Sequence, residues 1–398
     1  MQKRLKRPTA MLVGLMMLMS ACADETTSTT AAPITEATTG QTTTSATSTT
    51  DQGDTSTTEA PGSEEPSLEF VGPNGEIPGS AEELTLTDEE VAEIQAGGYS
   101  AAFVWHENSP FIQAVEGTAT QAFEELGIEV VASTSAEFDA ATQAANVETV
   151  LALNPDVIVT IPVDPVAAAE AFRPAVDQGV SLVVLSVPPE GYVHGEDFVG
   201  ISSGNIPEYG KLAAEMLGDA LGGQGQVGWI FHDAEFWITN LRDQAFKDWL
   251  AYLYPDIDVV DEAGFTDPAR TGDIATAMLS RNADLSGIYV AWATAAAGVL
   301  ESLRAEGRSD IKVVTHDVEA PLAIDMCQGG NIVGIVANPT ASGGENLAMM
   351  GAYGILDKPA PELVTGSPFA TTAENVEDGW FAEFADEPPA EVLEACTG

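Results

Sequence analysis

From Ser100 onward, short β-branched runs alternate with helical patterns, and this alternation constrains the fold more than any other feature of the chain. The runs at 101–105, 128–132, 157–161 and 182–185 lack polar alternation, as strands do when helices cover both faces of a sheet. Helical patterns at 111–126, 136–153 and 166–178 separate them. After a connection at 198–203 a second series begins with a helix at 206–221, strands at 227–231 and 258–261, and a long helix to about 254 between them. It continues with helix 268–281, strand 287–291, helix 295–306, strand 312–315, helix 320–327, strand 332–337 and helix 342–356. One more strand and an irregular tail follow. Two series in succession predict an α/β protein with two doubly wound parallel-sheet lobes, because a single sheet of that size would split.

In such sheets ligands sit beyond the carboxyl ends of the strands, where the winding direction reverses. The strand ends here carry Trp105, His106, Ser186, His232, Phe265, Trp292, Asp317 and Asn338, which predicts one pocket between the lobes.

Ahead of the lobes, residues 1–21 have a cationic start (Lys3, Arg4, Lys6, Arg7) and a short apolar stretch, the pattern of an export signal. Small residues directly before Cys22 resemble a lipobox, which implies a diacylated Cys22 on the outer face of the cell membrane. Met19 departs from the usual leucine, and an ordinary cleaved signal with an incidental cysteine is the alternative. Residues 22–66 then hold the lipidated cysteine and a Thr-rich tether without the apolar content to fold. Residues 67–98 read as a collar, in which Thr87 and Glu90 have capping-box spacing for a short helix at 84–95. The formal net charge of −48 excludes nucleic acid and anionic lipid as partners, since both would be repelled. Cys327 and Cys396 are the cysteines left after Cys22; an oxidising compartment would join them, with free thiols as the alternative.

Five segments bear a resemblance when taken in order. They are Asn108-Ser109-Pro110-Phe111 after the first strand, the run 152–159 (ALNPDVIV), Arg242 four residues before Phe246, Val313-Val314-Thr315-His316-Asp317, and Gly334-Ile335-Val336-Ala337-Asn338. In order and spacing from about 99 to 376, the chain resembles the type I periplasmic binding proteins, the ribose/galactose-like group that serves sugar ABC importers. The resemblance implies a first lobe of residues 99–201 plus 339–364 and a second of 202–338 plus 365–398. It also implies a hinge at crossovers near 200–203, 338–339 and 363–366. Trp105, Ser109 and Phe111 are implied as contacts from the first lobe, and Arg242, Phe265, Trp292, Asp317 and Asn338 from the second. Where the group carries an Asp-Arg pair after its fourth strand, Ser186 and Val187 stand here, which puts the familiar mode of sugar binding in doubt.

The residue types suit a sugar or polyol on physical grounds as well. Trp105, Phe265 and Trp292 offer aromatic faces to CH groups, and Asp317, Asn338 and Arg242 offer hydrogen bonds to hydroxyls. His106 and His232 add donors in the cleft. Each histidine has acidic neighbours, but in so acidic a chain adjacency is expected by chance, and no metal is expected. No nucleophile elbow, phosphate loop or dinucleotide fingerprint opens a helix after a strand, so neither a cofactor nor an enzymatic activity is expected. The expectation is a monomeric, lipid-anchored receptor that delivers a small polar ligand to an ABC permease and ATPase complex. The alternative is a sensory binding protein that presents its ligand to a membrane receptor.

Overall fold

The structure, a computed structural model, describes residues 64–397. The export signal, Cys22 and nearly all of the tether lie outside the described residues. Among the described residues, no helix is long and apolar enough to cross a membrane.

Among the described residues, thirteen strands form two sheets. In chain order they are β1 (Pro78–Gly79), β2 (Ser100–Trp105), β3 (Glu129–Ser135), β4 (Val157–Thr160), β5 (Ser181–Leu185), β6 (Gly200–Gly204), β7 (Gln224–His232), β8 (Asp256–Phe265), β9 (Leu285–Val290), β10 (Lys312–His316), β11 (Ile332–Ala337), β12 (Leu363–Gly366) and β13 (Phe369–Thr371). The first sheet has the order β1-β12-β6-β5-β4-β2-β3 and the second β13-β11-β10-β9-β7-β8. All neighbours run parallel except β13, which is antiparallel to β11. One topology is therefore used twice. The winding reverses at β2/β4 in the first lobe and at β7/β9 in the second, so each lobe presents its switch-point crevice at the carboxyl ends of those strands.

The central strands are buried because helices cover both faces, which is why their sequences read as unbroken apolar runs. Local signals set the helix starts. Ser109 caps Pro110–Glu125 by accepting the Ile112 N–H, Asp139 caps Ala140–Leu151, and Asp164 caps Pro165–Ala171. The capping box at Thr87 and Glu90 is formed, and the collar helix runs Asp88–Gly97. The collar is also tied to the first lobe elsewhere: β1 pairs with β12, and the Tyr353 hydroxyl donates to the Thr85 carbonyl.

The lobe boundaries differ from expectation. Residues 198–203 were expected to be a connection, yet β6 pairs with both β5 and β12 inside the first sheet, and β12 extends to Gly366. Boundaries at 201/202 and 364/365 thus cut through strands. The chain changes lobe at Asn205, at Asn338–Pro339 and at Ser367–Pro368. The short polar sequence Gly200-Ile201-Ser202-Ser203-Gly204 hides its strand character, because its backbone is paired on both sides rather than packed through large side chains. A Cβ on Gly366 would lie 2.7 Å from Cγ of Pro339, so the second and third crossings pass in close contact.

The tail is ordered rather than irregular. Helices Val376–Phe384 and Ala390–Thr397 follow β13, and a disulfide between Cys327 and Cys396 ties the latter to helix Ala320–Cys327 of the second lobe.

Candidate functional site

Between the two sets of strand ends lies a cavity of about 120 Å³. At about 30 Å³ per water in the liquid, this is room for roughly four waters. His106, Ser109, Phe111 and Ser186 reach it from the first lobe, and His232, Arg242, Trp292, Asp317 and Asn338 from the second.

Two expected residues do not reach it. Trp105 is the last residue of β2, and its side chain turns under helix Pro110–Glu125. There it stacks on Phe103 at 5.2 Å and donates its indole N–H to Glu116 at 2.7 Å. The next residue, His106, takes the position in the cleft that was assigned to it, because successive side chains on extended backbone point to opposite faces. Phe265 is buried behind the wall, 4.7 Å from Trp292 and 5.9 Å from His232, so it supports those rings without lining the cavity.

The second lobe supplies the charged wall. Arg242, on helix Trp237–Leu253, is buried, donates from Nη2 to the Ala291 carbonyl at 2.5 Å and lies 4.0 Å from Asp317 Oδ1 through Nη1. Burial works against its charge, but Asp317, Tyr289 and Asp243 outweigh that and raise its pKa. Asp317 sits just after β10 with φ +65°, in the left-handed region that a residue with a Cβ occupies at a cost. Burial raises its pKa, against the pull of Arg242. Asn338 spends its side-chain N–H groups on Asp317, at 2.9 Å, and on Glu383, also at 2.9 Å, which leaves its carbonyl oxygen for a ligand.

Glu383 was not foreseen. It comes from the tail helix, is fully buried, and accepts the Asn338 backbone N–H at 2.7 Å. Burial first, then the charge of Asp317, push its carboxyl up to about 8. Beneath the wall, Asp243 accepts from the His232 backbone N–H at 2.9 Å and from the Tyr289 hydroxyl at 2.6 Å, and burial raises its carboxyl to about 6. His232 is held by Thr239 at 2.8 Å. Burial and then Arg242 lower its pKa to about 4, while burial and then His232 lower that of His106 to about 3, so both rings are neutral at pH 7.

Aromatic rings join the lobes across the cleft. His106 stacks on Phe236 at 5.5 Å, and Phe138 meets His106 edge-on at 5.1 Å and Phe236 at 6.1 Å. Phe138 belongs to a loop after β3 in which it and Glu137 have φ of +59° and +49°; the Phe138 N–H donates to the His106 carbonyl at 2.7 Å. Such strained turns carry no sequence signature, and neither Phe138 nor Phe236 was identifiable beforehand. Glu107 and Glu319 add carboxylates to the lining. Burial raises both, Glu107 to about 7.

Some polar atoms of this wall have no protein partner. The ring Nδ1 of His106, the Ser203 hydroxyl and the Arg242 Nε are buried and unpaired. Buried polar groups without partners are uncommon, and these three belong to residues that line the cavity.

A family model described as a periplasmic binding protein domain matches residues 101–358, well over half of the chain and both lobes. The chain belongs to the periplasmic binding protein domain family. As a periplasmic binding protein it is a receptor rather than an enzyme, and it acts outside the cytoplasm. Solved structures share the fold. An ABC transporter solute binding protein from Agrobacterium vitis, bound with alpha-D-tagatopyranose, superposes with a TM-score of 0.65 at 22% identity, covering 72% of this chain and 98% of that one. An arabinose binding protein from Geobacillus stearothermophilus gives 0.62 at 20% identity, covering 71% and 99%. A 5-methylthioribose transporter solute binding protein from Thermotoga lettingae, in complex with 5-methylthioribose, gives 0.62 at 18% identity, covering 75% and 98%. No curated protein matches this periplasmic binding protein by sequence.

Proposed function

We propose that this protein captures a sugar or polyol between its lobes and delivers it to an ABC importer, while Cys22 anchors it through lipid to the outer face of the cell membrane. The observation that carries this reading is a cavity at both switch points whose wall combines aromatic rings with hydrogen-bonding side chains, three of which keep a buried polar atom without a protein partner. His106, Ser109, Phe111, Ser186, His232, Arg242, Trp292, Asp317 and Asn338 are the proposed contacts, joined by Glu107, Phe138 and Glu319. Support comes from the structural neighbours, whose names speak of tagatopyranose, arabinose and 5-methylthioribose. Closure is a hinge motion about Asn205, Asn338–Pro339 and Ser367–Pro368, and ligand contacts made only in the closed state drive it. The protein acts as a monomer.

Titration calorimetry against pentoses, hexoses and polyols tests the reading, with dissociation constants in the micromolar range or below expected for at least one. No heat from any of them, with a normally melting protein, would overturn it. The anchor is tested separately: Cys22→Ser should release the protein from the membrane fraction.

A further inference from the structure

The two lobes repeat one topology, so each position in one wall has a counterpart in the other, and the counterparts differ in chemistry. Three residues separate the end of β2 at Trp105 from the helix cap Ser109, and three separate the end of β7 at His232 from the cap Phe236. Six residues beyond those caps stand Val115 in the first lobe and Arg242 in the second, and both line the cavity. Ser186 follows β5 as Asp317 follows β10. Both have left-handed backbone, at φ +76° and +65°, and each donates its N–H to the neighbouring strand, Ser186 to Ser202 and Asp317 to Val336. The Arg242–Asp317 pair of the second lobe thus corresponds to Val115 and Ser186 in the first.

Around Val115 the first-lobe wall is carbon. Ile161 just after β4, Leu185 at the end of β5, and Phe111 complete it, and all four line the cavity. Two polar groups beside the patch are already engaged, the Thr160 hydroxyl donating to the Val104 carbonyl at 2.7 Å and the Gln143 amide to the Ile161 carbonyl at 2.8 Å, while the Ser186 hydroxyl, next after Leu185, marks the edge of the patch. The polar groups of this lobe in the lining include His106, Glu107, Ser109, Ser186, Ser202 and Ser203, and they border the carbon patch rather than interrupt it. A hydroxyl placed against Val115, Ile161 and Leu185 would give up water for no partner, whereas a methyl or thioether there would be gained from water.

We infer that the ligand is two-faced: its hydroxyls meet Arg242, Asp317 and Asn338, and an unhydroxylated end, deoxy, alkyl or thioalkyl, fits against Val115, Ile161 and Leu185. This rests on the reading of the cavity as a sugar or polyol site. Calorimetry on matched pairs tests it: 5-deoxy-D-ribose and 5-methylthioribose against D-ribose, D-fucose against D-galactose, and L-rhamnose against L-mannose. In the best-binding pair the deoxy or thiomethyl member should bind at least about tenfold tighter. Equal or tighter binding of the hydroxylated parent overturns the inference and leaves the sugar reading standing. Silence from every pair also overturns it, and if the wider sugar and polyol panel is silent too, both readings fall together. Val115→Thr keeps the shape of the side chain and adds a hydroxyl to the patch, so it should narrow the ratio within the pair at least about threefold with the melting temperature monitored in parallel. Ile161→Thr is the second variant should the first not fold. An unchanged ratio in a folded variant places the apolar end elsewhere and overturns the assignment.

Discussion

Replacing Glu383 by glutamine and by alanine separates its proton from its hydrogen bonds. The carboxyl is pushed up to about 8 by burial and by Asp317, so at neutral pH the folded protein holds a proton there that the unfolded chain releases near its ordinary value of 4.5. The sign follows. Stability from this group is full below about 4.5 and is lost as pH rises towards 8, with a slope of at most about 1.4 kcal/mol per pH unit for one proton. Asp243 and Glu107 contribute in the same direction but finish near 6 and 7, so the interval from pH 7 to 8 belongs mostly to Glu383. Glu383→Gln is neutral at every pH and should flatten that interval. Glu383→Ala removes the acceptor of the Asn338 backbone and side-chain N–H groups, two buried donors at about 1–3 kcal/mol each, for a loss on the order of 2–6 kcal/mol. It should also weaken ligand binding, since Asn338 and through it Asp317 lose their fixed position. Urea denaturation from pH 5 to 8.5 reads the stability terms, and calorimetry the affinity. If Glu383→Gln keeps the parent slope between pH 7 and 8, or Glu383→Ala is as stable as the parent, the reasoning fails.

Arg242→Ala should abolish ligand binding and also lower the melting temperature, because it leaves the buried Ala291 carbonyl without its donor at a cost of about 1–3 kcal/mol and removes the cation facing Asp317; an unaltered melting temperature would contradict that hydrogen bond. Reduction of the Cys327–Cys396 bridge, which closes 69 residues, should cost about 4 kcal/mol in denaturation experiments, and no change on adding reductant would show that the tail holds without it. Deleting residues 23–66 should leave calorimetric affinity unchanged, since that composition offers nothing to a pocket. Extending the deletion through Gly79 removes the packing of Phe70 on Trp237 at 5.8 Å and the β1–β12 pairing, and should lower the melting temperature.

The strands and most helices were legible because they are signalled locally: apolar runs for β2, β4, β9, β10 and β11, and caps at Ser109, Asp139 and Thr87. The sequence hides β6 because Ile201 is its one apolar side chain, the rest being glycine and serine, too few for an apolar run. Strand-end logic located His106, Ser186, His232, Trp292, Asp317 and Asn338 at the cavity, since a strand end in a doubly wound sheet has only one crevice to face. It misplaced Trp105 by a single residue, because extended backbone alternates faces and the end of β2 cannot be read to within one position. Glu383, Phe138 and Phe236 had no local signal. Their roles come from a tail helix, a left-handed turn and a contact between lobes, all of which are tertiary.

The repeated topology explains why both lobes hold a non-glycine residue in left-handed backbone at the same place, after β5 and after β10. That geometry turns the side chain from the sheet into the crevice, and its strain is offset by the N–H bonds of Ser186 to Ser202 and of Asp317 to Val336. The backbone device is common to both lobes while the side chains differ. With Asp317 it delivers a carboxylate beside a guanidinium, and with Ser186 it delivers a hydroxyl above a carbon wall. Because the scaffold fixes where those two side chains point, exchanging them alters the ligand without altering the fold, and the asymmetry between the walls is therefore a property of specificity rather than of stability.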